Sequence, residues 1–120
     1  MRTFLLVLII TVAVMHIGFG ALEIFFWEQP LGLRVFGHTP EQAATSAVLA
    51  ANQGLYNLFL AAGLFWGAVS GRRDVRLFFL SCVVVAGIFG GLTAKVTILF
   101  VQGLPALVAL TLELWFKNRP

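Results

Sequence analysis

The side chains best equipped to hold a polar molecule or a proton are His16, Glu23, Asn52, Gln53, Tyr56, Asn57, Lys95 and Gln102. Half of them crowd into one stretch, Ala51-Asn52-Gln53-Gly54-Leu55-Tyr56-Asn57, inside an otherwise apolar run. Each amide or phenol costs free energy in hydrocarbon unless it meets a partner. On a helix Asn52 stacks with Tyr56 and Gln53 with Asn57 at i, i+4, which predicts one polar stripe. Such a stripe faces protein or water, not lipid. The chemistry on offer is hydrogen bonding from the amides and the phenol. Glu23 and His16 add charge and proton handles, since they share one helical face with Gly20 and Trp27.

Other chemistries find no support in these letters. There is no nucleophile elbow, P-loop, dinucleotide fingerprint, CxxC or zinc-protease motif. His16, Glu23 and His38 lack recognisable metal-ligand spacing. No metal, cofactor or catalytic residue is therefore expected, although His16 or Glu23 acting as a general acid/base keeps a membrane enzyme open as a lesser reading. Cys82 is the only cysteine, so no intrachain disulfide can form. Basic residues sit at helix ends, and the net charge of +3 gives no reason to expect a nucleic-acid partner.

The elements that must position these residues follow from composition. The chain of 120 residues is 60% hydrophobic and 11% charged, with a mean hydropathy of +0.97. A soluble domain carries roughly a quarter charged residues, so this is an integral membrane protein. At about 20 apolar residues per span, one domain over residues 1–120 holds four helices, at roughly 3–27, 46–70, 75–94 and 96–116. The first resembles a signal peptide, with Arg2 ahead of an apolar run and Gly18-Phe19-Gly20-Ala21 as a small-residue site. Its apolar pattern continues to Trp27, so it reads as a retained span.

Glu28 to His38 is a Pro- and Gly-punctuated loop whose apolar members place it on the bilayer surface. Thr39-Pro40-Glu41-Gln42 is a capping box with Pro at the first helical position, and Gly71 is the matching stop. The helix so bounded is longer than the hydrocarbon core. Gly63 and Gly67 form a GxxxG pair that permits close helix approach. Pro105 frees the carbonyl of Val101 and disturbs the last helix near Gln102.

Orientation follows from charge. One side carries Arg2, Arg72, Arg73, Arg76, Lys117 and Arg119; the other carries only Arg34 and Lys95. The positive-inside rule then puts both termini in the cytoplasm. Counting 1.5 Å per residue sets His16, Tyr56, Asn57 and Gln102 about 20 Å from the inner end. Glu23, Asn52, Gln53 and Lys95 fall higher, near the outer edge.

The run from Val48 through Ala51-Asn52-Gln53-Gly54-Leu55-Tyr56-Asn57 to Leu64 resembles the signature of a family of small bacterial and fungal membrane proteins, catalogued as domain of unknown function thirteen-oh-four. Phe36-Gly37-His38-Thr39-Pro40 and Val101-Gln102-Gly103-Leu104-Pro105-Ala106 fit the same family. The resemblance covers nearly the whole chain. It implies a four-span membrane protein and transfers no activity or cofactor.

The reading is an all-α integral membrane four-helix bundle with both termini inside and a surface-lying extracytoplasmic loop between its first two spans. It sits in the cell membrane (the bacterial inner or plasma membrane) with an outward-facing polar pocket that binds or transports a small polar or cationic solute. Glu23 and His16 are the handles; Asn52, Gln53, Tyr56, Asn57 and Gln102 are the walls, with Lys95 near the mouth. The expected partners are the lipid bilayer, such a ligand, and further copies in a homo-oligomer. Two rivals stay open. One is a structural or accessory protein whose polar cluster only locks helices; the other is a small multidrug-exporter-like proton-coupled transporter.

Overall fold

Long apolar runs separated by Pro, Gly and charged turns leave the backbone one way to satisfy its polar groups away from water, which is to wind into helices. The computed structural model describes residues 1–117, and they form helices throughout. In chain order these are α1 (Arg2–Phe25), α2 (Pro30–Phe36), α3 (Pro40–Val69), α4 (Arg73–Thr93) and α5 (Val96–Phe116). All but α2 are long and apolar enough to cross a membrane. Their bounds agree with the four expected spans to within a few residues, except that α3 takes in the whole capped segment from Pro40.

Local signals set the ends. Thr39 Oγ1 accepts from the Gln42 backbone N–H at 3.2 Å, and Gln42 Oε1 accepts from the Thr39 N–H at 3.0 Å. This is the reciprocal cap expected from the sequence. Gly71 stops α3 in the left-handed region at φ 68°. The segment expected as a plain loop differs: seven of its residues wind into α2. Pro30 opens it, and Gly37 closes it at φ 69° with its N–H on the Leu33 carbonyl. Both are standard helix punctuation, overlooked because the segment is so short.

The chain divides into two compact units. One comprises residues 1–13 and those from Ala62 onward. In it α4 and α5 cross where glycines meet: a methyl group on Gly87 would come within 2.5 Å of the Gly103 Cα. Gly63 is roofed by the Phe79 ring, and Gly67 lies under Arg76. The expected GxxxG pair therefore admits a ring at one position and close backbone at the other. Residues Leu99–Gly103 of α5 form a π-helical turn in which the Leu104 N–H reaches back to Leu99 O. Pro105 has no N–H to give Val101, and the widened turn sits where that irregularity was expected.

At the other end of α4 lies an ion cluster. Glu113 is buried, and the Arg76 guanidinium grips it with Nη2 on Oε1 at 2.8 Å and Nε on Oε2 at 3.0 Å. Arg76 Nη1 also donates to Gly67 O at 3.1 Å, and Arg73 Nη2 donates to the Glu113 carbonyl at 2.8 Å. Glu113 is thus enclosed within the protein beside two arginines. Its pairing joins residues 37 apart on different helices, which no local pattern announces.

The second unit is Val14–Ala61, the end of α1, all of α2 and most of α3. It holds the stretch around Asn57.

Candidate functional site

Two seams build the site. On α1 the buried residues His16, Gly20 and Glu23 continue the line of Ile9, Val12 and Ala13. On α3 they are Ala43, Ala50, Gly54, Asn57 and Ala61. Both follow steps of three, four and seven, the period that keeps one helical face turned to one neighbour. The α3 seam is made of small residues, and that is what lets the helices touch. A Cβ on Gly20 would lie 2.9 Å from Gly54 O, and one on Gly54 would lie 2.9 Å from Gly20 O. Neither contact can yield, because the atoms met are backbone.

One turn beyond that crossing, Asn57 Nδ2 donates to Glu23 Oε1 at 2.6 Å. Each residue is 9% exposed. A carboxyl group this far from water needs a donor, and the amide supplies one. The donor is neutral, so the bond satisfies an oxygen without cancelling a charge. His16 is fully buried, with its ring edge-on to Phe19 at 5.7 Å. It lies two turns from Glu23 along α1, about 10 Å of helical rise.

A turn past Glu23, Trp27 closes the end of the unit. Its Nε1 donates to Ser46 Oγ at 3.1 Å, and its ring lies 4.7 Å from Phe36 and 4.8 Å from His38. The sequence analysis placed Trp27 on the face of His16 and Glu23 but did not anticipate this cluster. The available signal was Gly37, whose left-handed turn brings the chain back so that Phe36 and His38 face one ring.

The expected stripe does not hold together. Of Asn52, Gln53, Tyr56 and Asn57, only Asn57 is buried; the other three are exposed, Tyr56 at 55%. The reason is angular. Pairs at i, i+4 share a face, but Asn52/Tyr56 and Gln53/Asn57 are neighbouring pairs about 100° apart. The inward turn of Asn57 therefore carries Asn52 and Tyr56 outward. Lys95 and Gln102 belong to the other unit. There Lys95 is exposed at the start of α5, and Gln102 is half-buried in the π-helical turn.

Four long apolar helices with a buried carboxyl–amide pair define a multi-pass α-helical membrane protein. More narrowly, the chain belongs to the family described as "Protein of unknown function (DUF1304)", which it matches over residues 10–114. No curated protein and no solved structure matches it.

Proposed function

We propose that the protein binds, and passes across the membrane, a small polar or cationic solute at the Glu23 carboxyl group. One observation carries this reading: a buried acidic side chain whose hydrogen-bond donor is the uncharged Asn57 amide. Intramembrane ionisable residues mark ion and substrate paths more often than they serve packing. A carboxyl group held by a neutral donor has no counter-charge beside it, which leaves it free to meet a cation. His16 is the second handle, two turns along the same seam. The cluster of Trp27, Phe36 and His38 is the outer cover, with aromatic faces suited to a cation. In this reading both termini are cytoplasmic and the site opens outward. The support is the six-to-two division of basic residues between the two sides.

A second reading has its own observation. Gly20 and Gly54 bring α1 and α3 into backbone contact, and an amide–carboxyl bond beside such a crossing is also how spans are stitched together. One experiment separates the two. Detergent-solubilised protein is titrated with methylammonium, guanidinium and choline chlorides, with sodium chloride as the ionic-strength control, and thermal unfolding is followed. Binding at Glu23 gives a saturable rise in Tm for at least one organic cation, which Glu23→Gln abolishes. If Glu23→Gln and Asn57→Ala lower the starting Tm and no cation stabilises the parent protein, the pair is a lock and nothing more.

A further inference from the structure

The outward face of α3 is as regular as its inward one. Thr45, Leu49, Asn52, Tyr56 and Phe59 recur at steps of four, three, four and three, and all are exposed. This is the a/d spacing of a coiled-coil seam, roughly opposite the seam that carries Gly54 and Asn57. Leu49 is 74% exposed and Phe59 54%. Tyr56 and Phe59 are already set edge-to-face at 5.8 Å, so the seam presents an ordered aromatic pair.

Of its polar members only Thr45 is answered, by the Glu41 and Gln42 carbonyls at 3.1 Å. Within residues 1–117 the side chains of Asn52, Gln53 and Tyr56 make no hydrogen bond. Tyr56 is 13 residues from the Val69 end of α3, about 20 Å along the axis, and Asn52 is about 25 Å along it. Both distances are shorter than the ~30 Å hydrocarbon core. Lipid chains cannot answer an amide there. Apolar area does not drive helices together in lipid, so packing and hydrogen bonds decide.

We propose that this face is where a second copy of the chain docks, its α3 parallel and in register, with Asn52 bonding Asn52 across a two-fold axis. Two properties single out a second copy from other occupants. A primary amide is both donor and acceptor, so it complements itself under two-fold symmetry. Copies inserted the same way also hold Asn52 at one depth, so no register has to be found. On this spacing Leu49 and Tyr56 hold a positions and Asn52 a central d position, so the amide lies within the seam and not at its edge. Gln53 flanks the seam and adds a second amide at its edge. The inference is independent of the Glu23 reading, since the two use opposite faces of α3.

The test is cysteine cross-linking in native membranes, in a Cys82→Ala background. Single cysteines at 49, 52, 56 and 59 should give a dimer of twice the monomer mass on mild oxidation. A cysteine at 55, exposed but off the seam, should not. In vesicles of purified protein, Asn52→Leu should weaken association measured by energy transfer by about three- to tenfold, the range for a membrane interhelical hydrogen bond. Cross-linking as strong at 55 as on the seam, an unchanged Asn52→Leu, or a heavier adduct seen only in cells each overturns the proposal. All these positions are exposed, so the variants leave the fold's buried contacts in place.

Discussion

Removing the Glu113 carboxylate should destabilise the protein by about 3 kcal/mol. The Glu113 side chain is 3% exposed and that of Arg76 is 12% exposed, and the two share a two-pronged bond. Breaking a buried pair by deleting one member costs roughly 3–5 kcal/mol, because the partner charge is left without compensation. The low end applies here. Arg76 keeps its bond to Gly67 O, and Arg73 keeps its bond to the Glu113 backbone carbonyl, which survives any side-chain change. Glu113→Gln retains shape and one acceptor but not the charge, and should cost about half as much. Replacing both partners, as Arg76→Met with Glu113→Leu, should cost less than the Glu113→Ala single change, since the only cation then left without the carboxylate is Arg73, whose side chain is 32% exposed. Reversible unfolding in mixed micelles by rising dodecyl sulfate, followed by circular dichroism, gives the four corners of the cycle. A cost under about 1 kcal/mol for Glu113→Ala, or strict additivity in the cycle, would refute the claim that this pair is desolvated and coupled.

Three further outcomes follow from contacts already described. Gly54→Ala places a methyl 2.8 Å from the Ile24 side chain and 2.9 Å from Gly20 O; it should cost about 1–3 kcal/mol in the same unfolding assay. By parting α1 from α3 it should also speed hydrogen exchange of the backbone around Gly20. Gly87→Val meets the Gly103 Cα and N, atoms that cannot move aside, and should fail to yield stable protein by size-exclusion chromatography, whereas Gly18→Ala, with open space around it, should not. Thr39→Ala removes one half of the cap on α3 and should cost about 1 kcal/mol; Gln42→Ala should cost less, and the two should be less than additive in a denaturation series.

Much of the architecture could be read from the letters because membrane helices obey strong local rules. Length, hydropathy, the Thr39/Gln42 box and Gly71 each act over a few residues, and each reappears in the structure. The site was less legible. The i, i+4 pairs on α3 were correctly found, but two pairs on adjacent faces were read as one stripe. The deciding signal was the line Ala43, Ala50, Gly54, Ala61, because only small residues let another backbone come close. Asn57 belongs to that line and Asn52 does not. Glu23 was singled out for its rarity in such a segment, while its partner among three amides depended on that rotation. Glu113 shows the same limit, since nothing near it in sequence points to Arg76.

The grouping of Val14–Ala61 bears on how the protein is made. Glu23 and the amide that satisfies it are 34 residues apart, with α2 as the bend between them. A nascent chain can therefore shelter its awkward acid as soon as α3 has left the ribosome, before α4 has emerged behind it. The insertion machinery receives a hairpin whose most lipid-averse group is already answered, and the order of translation becomes part of what makes an acid in a first span tolerable.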